Sequence, residues 1–147
     1  WYELEHGVDV QRVGFCLTDD GRFGCSPDGL VGDDGGLELK CPEMKTHVAY
    51  LLAGTLPDEY KAQVHGNLIV TGRKWWDFLS YAVGLPPFYL RITPDDYTEA
   101  LRKELENFHQ RYEEAWSKIQ AMRSEPEPVA VGADDVLDIP GFTNPKR

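Results

Sequence analysis

Asp28, Glu38 and Lys40 lie close together in the stretch GCSPDGLVGDDGGLELKCPEMK, residues 24 to 45. Two carboxylates and a nearby backbone carbonyl, completed by waters, are the hard oxygen ligands that Mg²⁺ or Mn²⁺ prefers. A lysine beside the glutamate can hold the attacking water of a hydrolysis, or help to deprotonate it. These residue types therefore suit metal-dependent cleavage of a phosphodiester.

The predicted β-hairpin determines how close Asp28 and Glu38 lie to each other. Pairing of GLVG with LELK across the turn DDGG places Gly32 opposite Leu37 and puts Asp28 near Lys40 or Cys41. Since a strand advances ~3.3 Å per residue, the two acidic positions are then ~7–10 Å apart along the backbone. Two converging side chains can close that gap on a shared cation.

Side-chain alternation in LELK predicts which face of the strand each residue occupies. Leu37, Leu39 and Cys41 are expected to face the core, and Glu38 and Lys40 the accessible side. The alternative is that the glutamate and lysine are only a solvated edge pair, worth ~0–1 kcal/mol, and that the aspartate only forms a turn. The spacing alone leaves both interpretations open.

Size and cysteine usage limit the class of protein. The chain has 147 residues, which suits one domain. It contains no apolar run near the ~20 residues that span a bilayer, so we expect no membrane association. Cys16, Cys25 and Cys41 are odd in number and lack CxxC spacing, which argues against a disulfide framework, a zinc ribbon or an iron–sulfur cluster. Reduced, intracellular thiols are predicted.

Charge is unevenly distributed along the chain. The net charge is −10, which by itself disfavours a phosphate backbone as partner. Residues 40 to 74 are locally basic, however, and residues 124 to 147 are acidic. Lys45, Arg73 and Lys74 in the basic segment are therefore the predicted DNA-binding residues.

The remaining pattern predicts strands first and helices later. Residues 8 to 40 read as a β-meander in which VDVQRVGFCL is one run, and helices are expected from Met44 to a stop at Gly54 and from Pro57 to about Thr71. The segments WWDFLSYAV and PPFYLRI predict two more strands. Thr93 as the cap, with Pro94 at the first helical position, begins a long amphipathic helix, which SEPEPVAVGADD ends.

The motif SPDG, eight residues, then ELK resembles that of the PD-(D/E)xK nuclease superfamily. The fuller run CSPDGL with GLELKCP is similar to the phage lambda-type exonuclease, or viral recombinase, family. The resemblance continues through YKAQVHGNLIVTGRKWWDFLSY and PPFYLRITPDDY, so it covers roughly residues 1 to 120.

This resemblance implies a nuclease with two Mg²⁺ ions that degrades one strand of duplex DNA from the 5′ end. It also implies a ring of three subunits around the DNA and a single-strand annealing protein as partner. Asp28 and Glu38 become metal ligands, the Leu39 carbonyl a third ligand, Lys40 the catalytic lysine, and Gln63 a supporting polar residue.

The sequence departs from the family pattern in two places. Related nucleases often carry an aromatic residue four positions after the glutamine, where this chain has Asn67. The family also has an upstream helix with a metal-binding glutamate and residues that bind the 5′ phosphate, and the sequence begins just after that point. We therefore expect an N-terminal segment to precede this chain.

Several neighbouring residues have simpler explanations. Trp75 and Trp76 are adjacent on a strand, so one is expected in the core and the other at its rim, and DNA stacking is disfavoured. Asp33 and Asp34 are explained by the tight DDGG turn. Among the histidines, which show no ligand spacing, His65 could line the cleft because it lies beside the supporting glutamine.

The overall prediction is an α/β (α+β) domain, a restriction-endonuclease-like mixed sheet flanked by helices, over residues 1 to 123, followed by an acidic, proline-containing tail over residues 124 to 147. We expect a Mg²⁺-dependent 5′-to-3′ exonuclease on linear duplex DNA, in the cytoplasm of a bacterial host that carries a phage or prophage. The alternatives are another PD-(D/E)xK endonuclease, or a truncated module that binds DNA or a partner without cutting.

Overall fold

The computed structural model describes residues 1 to 123, so the predicted tail of residues 124 to 147 lies outside the described part. One compact unit spans Trp1–Tyr112, and a second begins at Glu113. The elements in chain order are α1 (Tyr2–His6), β1 (Val10–Gln11), β2 (Cys16–Leu17), β3 (Gly24–Cys25), β4 (Gly29–Val31), β5 (Gly35–Lys40), α2 (Met44–Ala53), α3 (Asp58–Thr71), β6 (Trp75–Ser80), β7 (Phe88–Ile92) and α4 (Asp96–Arg123).

A five-stranded mixed sheet is the centre of the first unit. Its strand order is β1-β4-β5-β6-β7, and only β5 and β6 run parallel among these neighbours. A parallel pair needs a crossover connection, and α2 and α3 supply it between β5 and β6. The predicted class, a mixed sheet flanked by helices, is confirmed.

Both faces of the sheet are covered by apolar packing. Trp76 and Phe78 face α3, where they pack with Val64 and Leu68. The opposite face forms a smaller cluster with α1, whose members are Tyr2, Val31, Leu37 and Leu79. Side chains on both faces of a central strand can therefore be buried, and this includes the polar side chains of β5.

The predicted single strand over VDVQRVGFCL is wrong. Val10 pairs with Val31 in the main sheet, whereas Cys16 pairs with Cys25 in a separate two-stranded ribbon of β2 and β3. The chain bends between them at Gly14, whose carbonyl accepts a hydrogen bond from Ser26 Oγ at 2.7 Å. A simple meander is thus interrupted by an inserted hairpin.

The turn between β4 and β5 also differs from the prediction. It consists of residues 32 to 34, and Gly35 and Gly36 belong to the strand. A Cβ on either glycine would lie 2.1–2.2 Å from the ring of Trp75 or Trp76. These glycines are therefore required by the neighbouring tryptophans and not by the turn. As predicted, one tryptophan is core and the other rim, since Trp76 is buried and Trp75 only half-buried.

Helix boundaries follow the local signals closely for α2 and α3. Both helices end at glycines with positive φ, Gly54 at 65° and Gly72 at 65°, as predicted. The predicted start of α4 is wrong by two residues. Asp95, not Thr93, is the cap, because it exchanges hydrogen bonds with Thr98: Thr98 N–H donates to Asp95 Oδ1 at 3.0 Å and Asp95 N–H to Thr98 Oγ1 at 3.0 Å.

A buried carboxylate holds α1 against the sheet. Asp77 is fully buried and accepts two hydrogen bonds from the Arg91 guanidinium, each 2.8 Å long. The hydroxyls of Tyr2 and Tyr89 donate to its Oδ2 at 2.5 and 3.0 Å. Three of these donors are on Oδ2 and one is on Oδ1, and together with the charge of Arg91 they compensate the buried carboxylate.

His65 does not line the cleft, contrary to expectation. Its side chain is 2% exposed and lies between α3 and the start of α4, with Nδ1 2.8 Å from Thr98 Oγ1. Burial lowers the pKa of this imidazole, and Lys61 lowers it further, while Asp95 raises it and the Tyr97 ring packs against the histidine ring. His65 is a structural link between two helices.

This environment makes folding stability depend on pH. Because the folded-state pKa of His65 lies below its unfolded value near 6.5, the unfolded chain binds the proton first as pH falls. Neutral His65 therefore contributes its full share of the folding stability above about pH 6.5, and this share is lost as the pH falls below that value. Urea denaturation of wild type and His65→Gln at pH 7.5 and 5.0 should show a smaller loss of stability on acidification in the variant. His6→Gln, which changes an exposed histidine, should keep the wild-type loss. An equal loss in all three proteins would contradict the assignment.

Candidate active site

The hairpin of β4 and β5 brings Asp28 level with Glu38. The pair Gly29 and Leu37 ends the ladder, so the aspartate lies immediately beside the glutamate and not near Lys40 or Cys41 as predicted. The predicted register was wrong because the turn is formed by residues 32 to 34 and not by DDGG, residues 33 to 36, so that Leu37 pairs with Gly29 instead of Gly32. Asp28 is exposed, and its Oδ2 accepts the Leu39 N–H at 2.7 Å. The two acidic residues are therefore opposite each other across the hairpin, closer than the sequence suggested.

Glu38 is buried, which overturns the prediction of an accessible Glu38 face. Its exposed fraction is 1%, whereas Leu39, predicted to be core, is 43% exposed. The reason is that α3 covers this face of β5. From α3, Gln63 Nε2 donates to Glu38 Oε1 at 2.7 Å and Asn67 Nδ2 donates to Oε2 at 3.3 Å. The glutamate is thus held from above by two amides.

Lys40 lies beside Glu38 at the end of β5. Its ammonium donates to Glu38 Oε1 and lies 4.7 Å from the centroid of the Tyr60 ring. The side chain is 22% exposed, so one side of it remains open to solvent. An ammonium held between a carboxylate and an aromatic face occupies a restricted position. The structure therefore brings Gln63, Lys40 and both acidic residues together.

Burial raises the pKa of Glu38, and the negative charge of Asp28 raises it further, while hydrogen bonds from Lys40 and Asn67 act in the opposite direction. Two neighbouring carboxylates are electrostatically unfavourable unless a cation lies near both. Their oxygens are hard donors that suit Mg²⁺ or Mn²⁺. Within residues 1 to 123 no group of three or more His, Cys, Asp or Glu side chains could share an ion. That Asp28, Glu38 and the Leu39 carbonyl together hold a cation stays a prediction.

A cavity of about 630 Å³ opens beside Asp28 and Lys40, but the buried Glu38 does not line it. Asp28 and Lys40 line one part of it, and Arg12, Trp1 and Tyr81 line other parts. The exposed sides of the aspartate and the lysine thus face a space that is large enough to hold a small ligand.

The sequence pattern assigned no role to Tyr60 or Asn67. Tyr60 lies three residues before Gln63 and Asn67 four residues after it, so all three share one face of α3. That helical spacing was the available signal, because residues at these intervals share one side of a helix. It does not show which side faces the sheet.

The three predicted DNA-binding residues differ in their contacts with the rest of the protein. Lys45 is exposed on the first turn of α2, and Lys74 Nζ pairs with Asp34 Oδ2 at 2.9 Å. Arg73 donates to the carbonyls of Gly32 and Gly35 at 2.7 and 2.8 Å. Arg73 therefore fixes the turn that sets the hairpin register. A contact with DNA stays a prediction for all three.

The mixed sheet with its flanking helices is an α+β fold. The chain belongs to the family of the YqaJ-like viral recombinase domain, whose model matches residues 1–74. It is similar to LHK-Exo, an alkaline exonuclease from Laribacter hongkongensis, at 36% identity and a TM-score of 0.60 over 80% of this chain and 68% of that chain. The same identity and TM-score hold for LHK-Exo in complex with dAMP, of which 67% is covered.

The family and these relatives identify the chain as an enzyme, an exonuclease-type nuclease. No curated protein matches the chain significantly. Across residues 1 to 123, no helix is both long enough and apolar enough to cross a membrane.

Removing the charge of Asp28 tests its role with little change in shape. Asp28→Asn keeps an oxygen for the Leu39 N–H and removes the carboxylate. We expect the rate of cation-dependent cleavage to fall more than ~100-fold, which is the upper end of the loss when a residue that only orients a metal ligand is removed. The melting temperature should be unchanged or higher, because the repulsion between Asp28 and Glu38 is relieved. Asp33→Asn, a matched change in the nearby turn, should cleave normally. Wild-type cleavage by Asp28→Asn would exclude it from the site.

Lys40 is expected to act in catalysis and not in assembling the metal site. Lys40→Ala should lower the single-turnover rate by ~10²–10⁴-fold while Mg²⁺ affinity stays equal or tightens, since a nearby positive charge is lost. Lys40→Arg should rescue little, because the guanidinium lacks the compact donor. The matched control is Lys61→Ala, since Lys61 also lies over a tyrosine ring, that of Tyr97 at 4.5 Å. Full recovery of Lys40→Ala at high Mg²⁺ would contradict this role.

Proposed function

We propose that the chain is the catalytic part of a Mg²⁺-dependent exonuclease that degrades one strand of linear duplex DNA from the 5′ end. The observation that carries this proposal is the meeting of exposed Asp28 with buried Glu38 at the open end of one hairpin, with Lys40 bound to the glutamate. Membership of the viral recombinase family supports a role in phage-type recombination.

In this proposal Asp28, Glu38 and the Leu39 carbonyl hold the metal, with two Mg²⁺ ions in the complete site and Mn²⁺ as a substitute. When bound, the metal polarises the scissile phosphate, lowers the pKa of a coordinated water and offsets charge in the transition state. The PD-(D/E)xK superfamily would be the wider class.

The protein's own groups position the reactants. The Lys40 ammonium, kept in place by Glu38 and the Tyr60 ring, orients the attacking water and compensates the negative charge that develops on the phosphate. Gln63 donates a hydrogen bond to Glu38 Oε1 and so helps to hold this carboxylate in place.

Charge and products suggest the partners. With a net charge of −10, the chain needs its locally basic segment, residues 40 to 74, to contact the duplex, and we propose Lys45, Arg73 and Lys74 as contacts. Resection from the 5′ end leaves single-stranded DNA, which a single-strand annealing protein can use. We propose a ring of three subunits in the cytoplasm of a bacterial host, with residues 1 to 123 as the nuclease domain and residues 124 to 147 as an acidic tail.

The decisive assay uses one 5′-phosphorylated linear duplex labelled at either end, and a closed circular duplex. With Mg²⁺ we expect the 5′ label to leave the linear duplex first as mononucleotide, the circle to stay intact, and EDTA to stop the reaction. Asp28→Asn, purified in parallel, reports any contaminating nuclease. Cutting of the circle would favour an endonuclease, and early release of the 3′ label would reverse the polarity. Binding without cutting would favour a non-cleaving module.

A further inference from the structure

Two amides on α3 hold the two oxygens of Glu38 separately. Gln63 donates to Oε1 at 2.7 Å, and Asn67, one helical turn later, donates to Oε2 at 3.3 Å. Asn67 is 3% exposed, so its side chain is committed to the interior. Since an ionised carboxylate can only accept hydrogen bonds, each amide must present its nitrogen to it.

We propose that Asn67 is a positioning residue, which fixes the plane of the Glu38 carboxylate for cation binding. This inference rests on the proposed function and deepens it. Asn67 donates to Glu38 Oε2, whereas Lys40 and Gln63 both donate to Oε1.

The need for such a residue follows from the other contacts. Lys40 and Gln63 both donate to Oε1, and a carboxylate rotates readily about its last bond, where the torsion has broad minima. Because the group is planar, donors on Oε1 oppose that rotation, but they still allow the carboxylate to pivot about Oε1 when the torsions nearer the backbone change. A donor on Oε2 opposes this pivot as well, so both oxygens keep their positions.

The position of Asn67 explains a departure in the sequence. The family resemblance predicts an aromatic residue four positions after the glutamine, and here an amide occupies that place. An asparagine is short enough to fit between α3 and the buried strand and still donates to the carboxylate. Its backbone carbonyl accepts a hydrogen bond from Thr71 Oγ1 at 2.7 Å, which supports the same turn of the helix.

The test measures cation binding and cleavage separately. Asn67→Leu keeps the approximate volume and removes the donor. We expect Mn²⁺ to bind ~10–100-fold more weakly, as measured by electron paramagnetic resonance of the free ion, and kcat to fall while the KM for duplex DNA stays within about twofold. Asn67→Gln, which keeps an amide donor, should recover part of both losses.

Leu68→Ala is the matched control for stability. Leu68 is the next residue on α3 and is 2% exposed, but it packs in the apolar core instead of contacting Glu38. Leu68→Ala should lower the melting temperature without weakening Mn²⁺ binding. If Asn67→Leu binds Mn²⁺ as tightly as Leu68→Ala and keeps its kcat, the positioning role is overturned.

The readouts separate this inference from the proposed function. If the wild-type chain binds Mn²⁺ but cuts no DNA, the exonuclease proposal fails, and the comparison of Mn²⁺ affinities still decides the role of Asn67. If the wild-type chain binds no Mn²⁺, both proposals fall together.

Discussion

The burial of one negative charge, that of Glu38, is the constraint on which the rest of the site depends. A carboxylate that is 1% exposed loses most of its hydration and must be compensated by the protein. Lys40, Gln63 and Asn67 provide three donors. Gln63 and Asn67 reach Glu38 because α3 packs over β5. Helix α3 has this position because it belongs to the connection between the parallel strands β5 and β6.

Comparison with the other buried acid, Asp77, shows what distinguishes Glu38. Asp77 accepts four hydrogen bonds, two of them from the Arg91 guanidinium, whose positive charge pairs with the carboxylate. Glu38 has three donors, and its near neighbour is a second carboxylate, Asp28, which raises its pKa. Asp77 therefore forms a structural ion pair with Arg91, whereas Glu38 has fewer donors and lies beside a repelling charge that Lys40 offsets only in part. The addition of a cation near both carboxylates would relieve that repulsion.

The sequence predicted the elements with strong local signals and missed those set by distant packing. Helices α2 and α3 end where glycines occur. The types and spacing of the acidic pair and the lysine left a solvated edge pair open as an alternative, and only the family resemblance favoured a metal site. The hairpin register was wrong because the glycines of DDGG looked like turn residues, whereas the tryptophans of β6 require them in the strand. The alternation along LELK correctly separated the residues of the two strand faces. It did not show which of the two faces a helix would cover. For the same reason, the buried position of Glu38 and the contact made by Asn67 could not be read from the pattern.

The most direct measurement is a crystal structure of this chain soaked with Mn²⁺, with anomalous scattering recorded at the manganese edge. The account predicts an anomalous peak between Asp28 and Glu38, roughly 2.1 Å from an oxygen of each, with Lys40 outside the coordination sphere. The Gln63 and Asn67 amides should remain on Glu38. A peak at other residues, or a saturated crystal in which Glu38 contacts no metal, would contradict the claim that this buried carboxylate is a metal ligand.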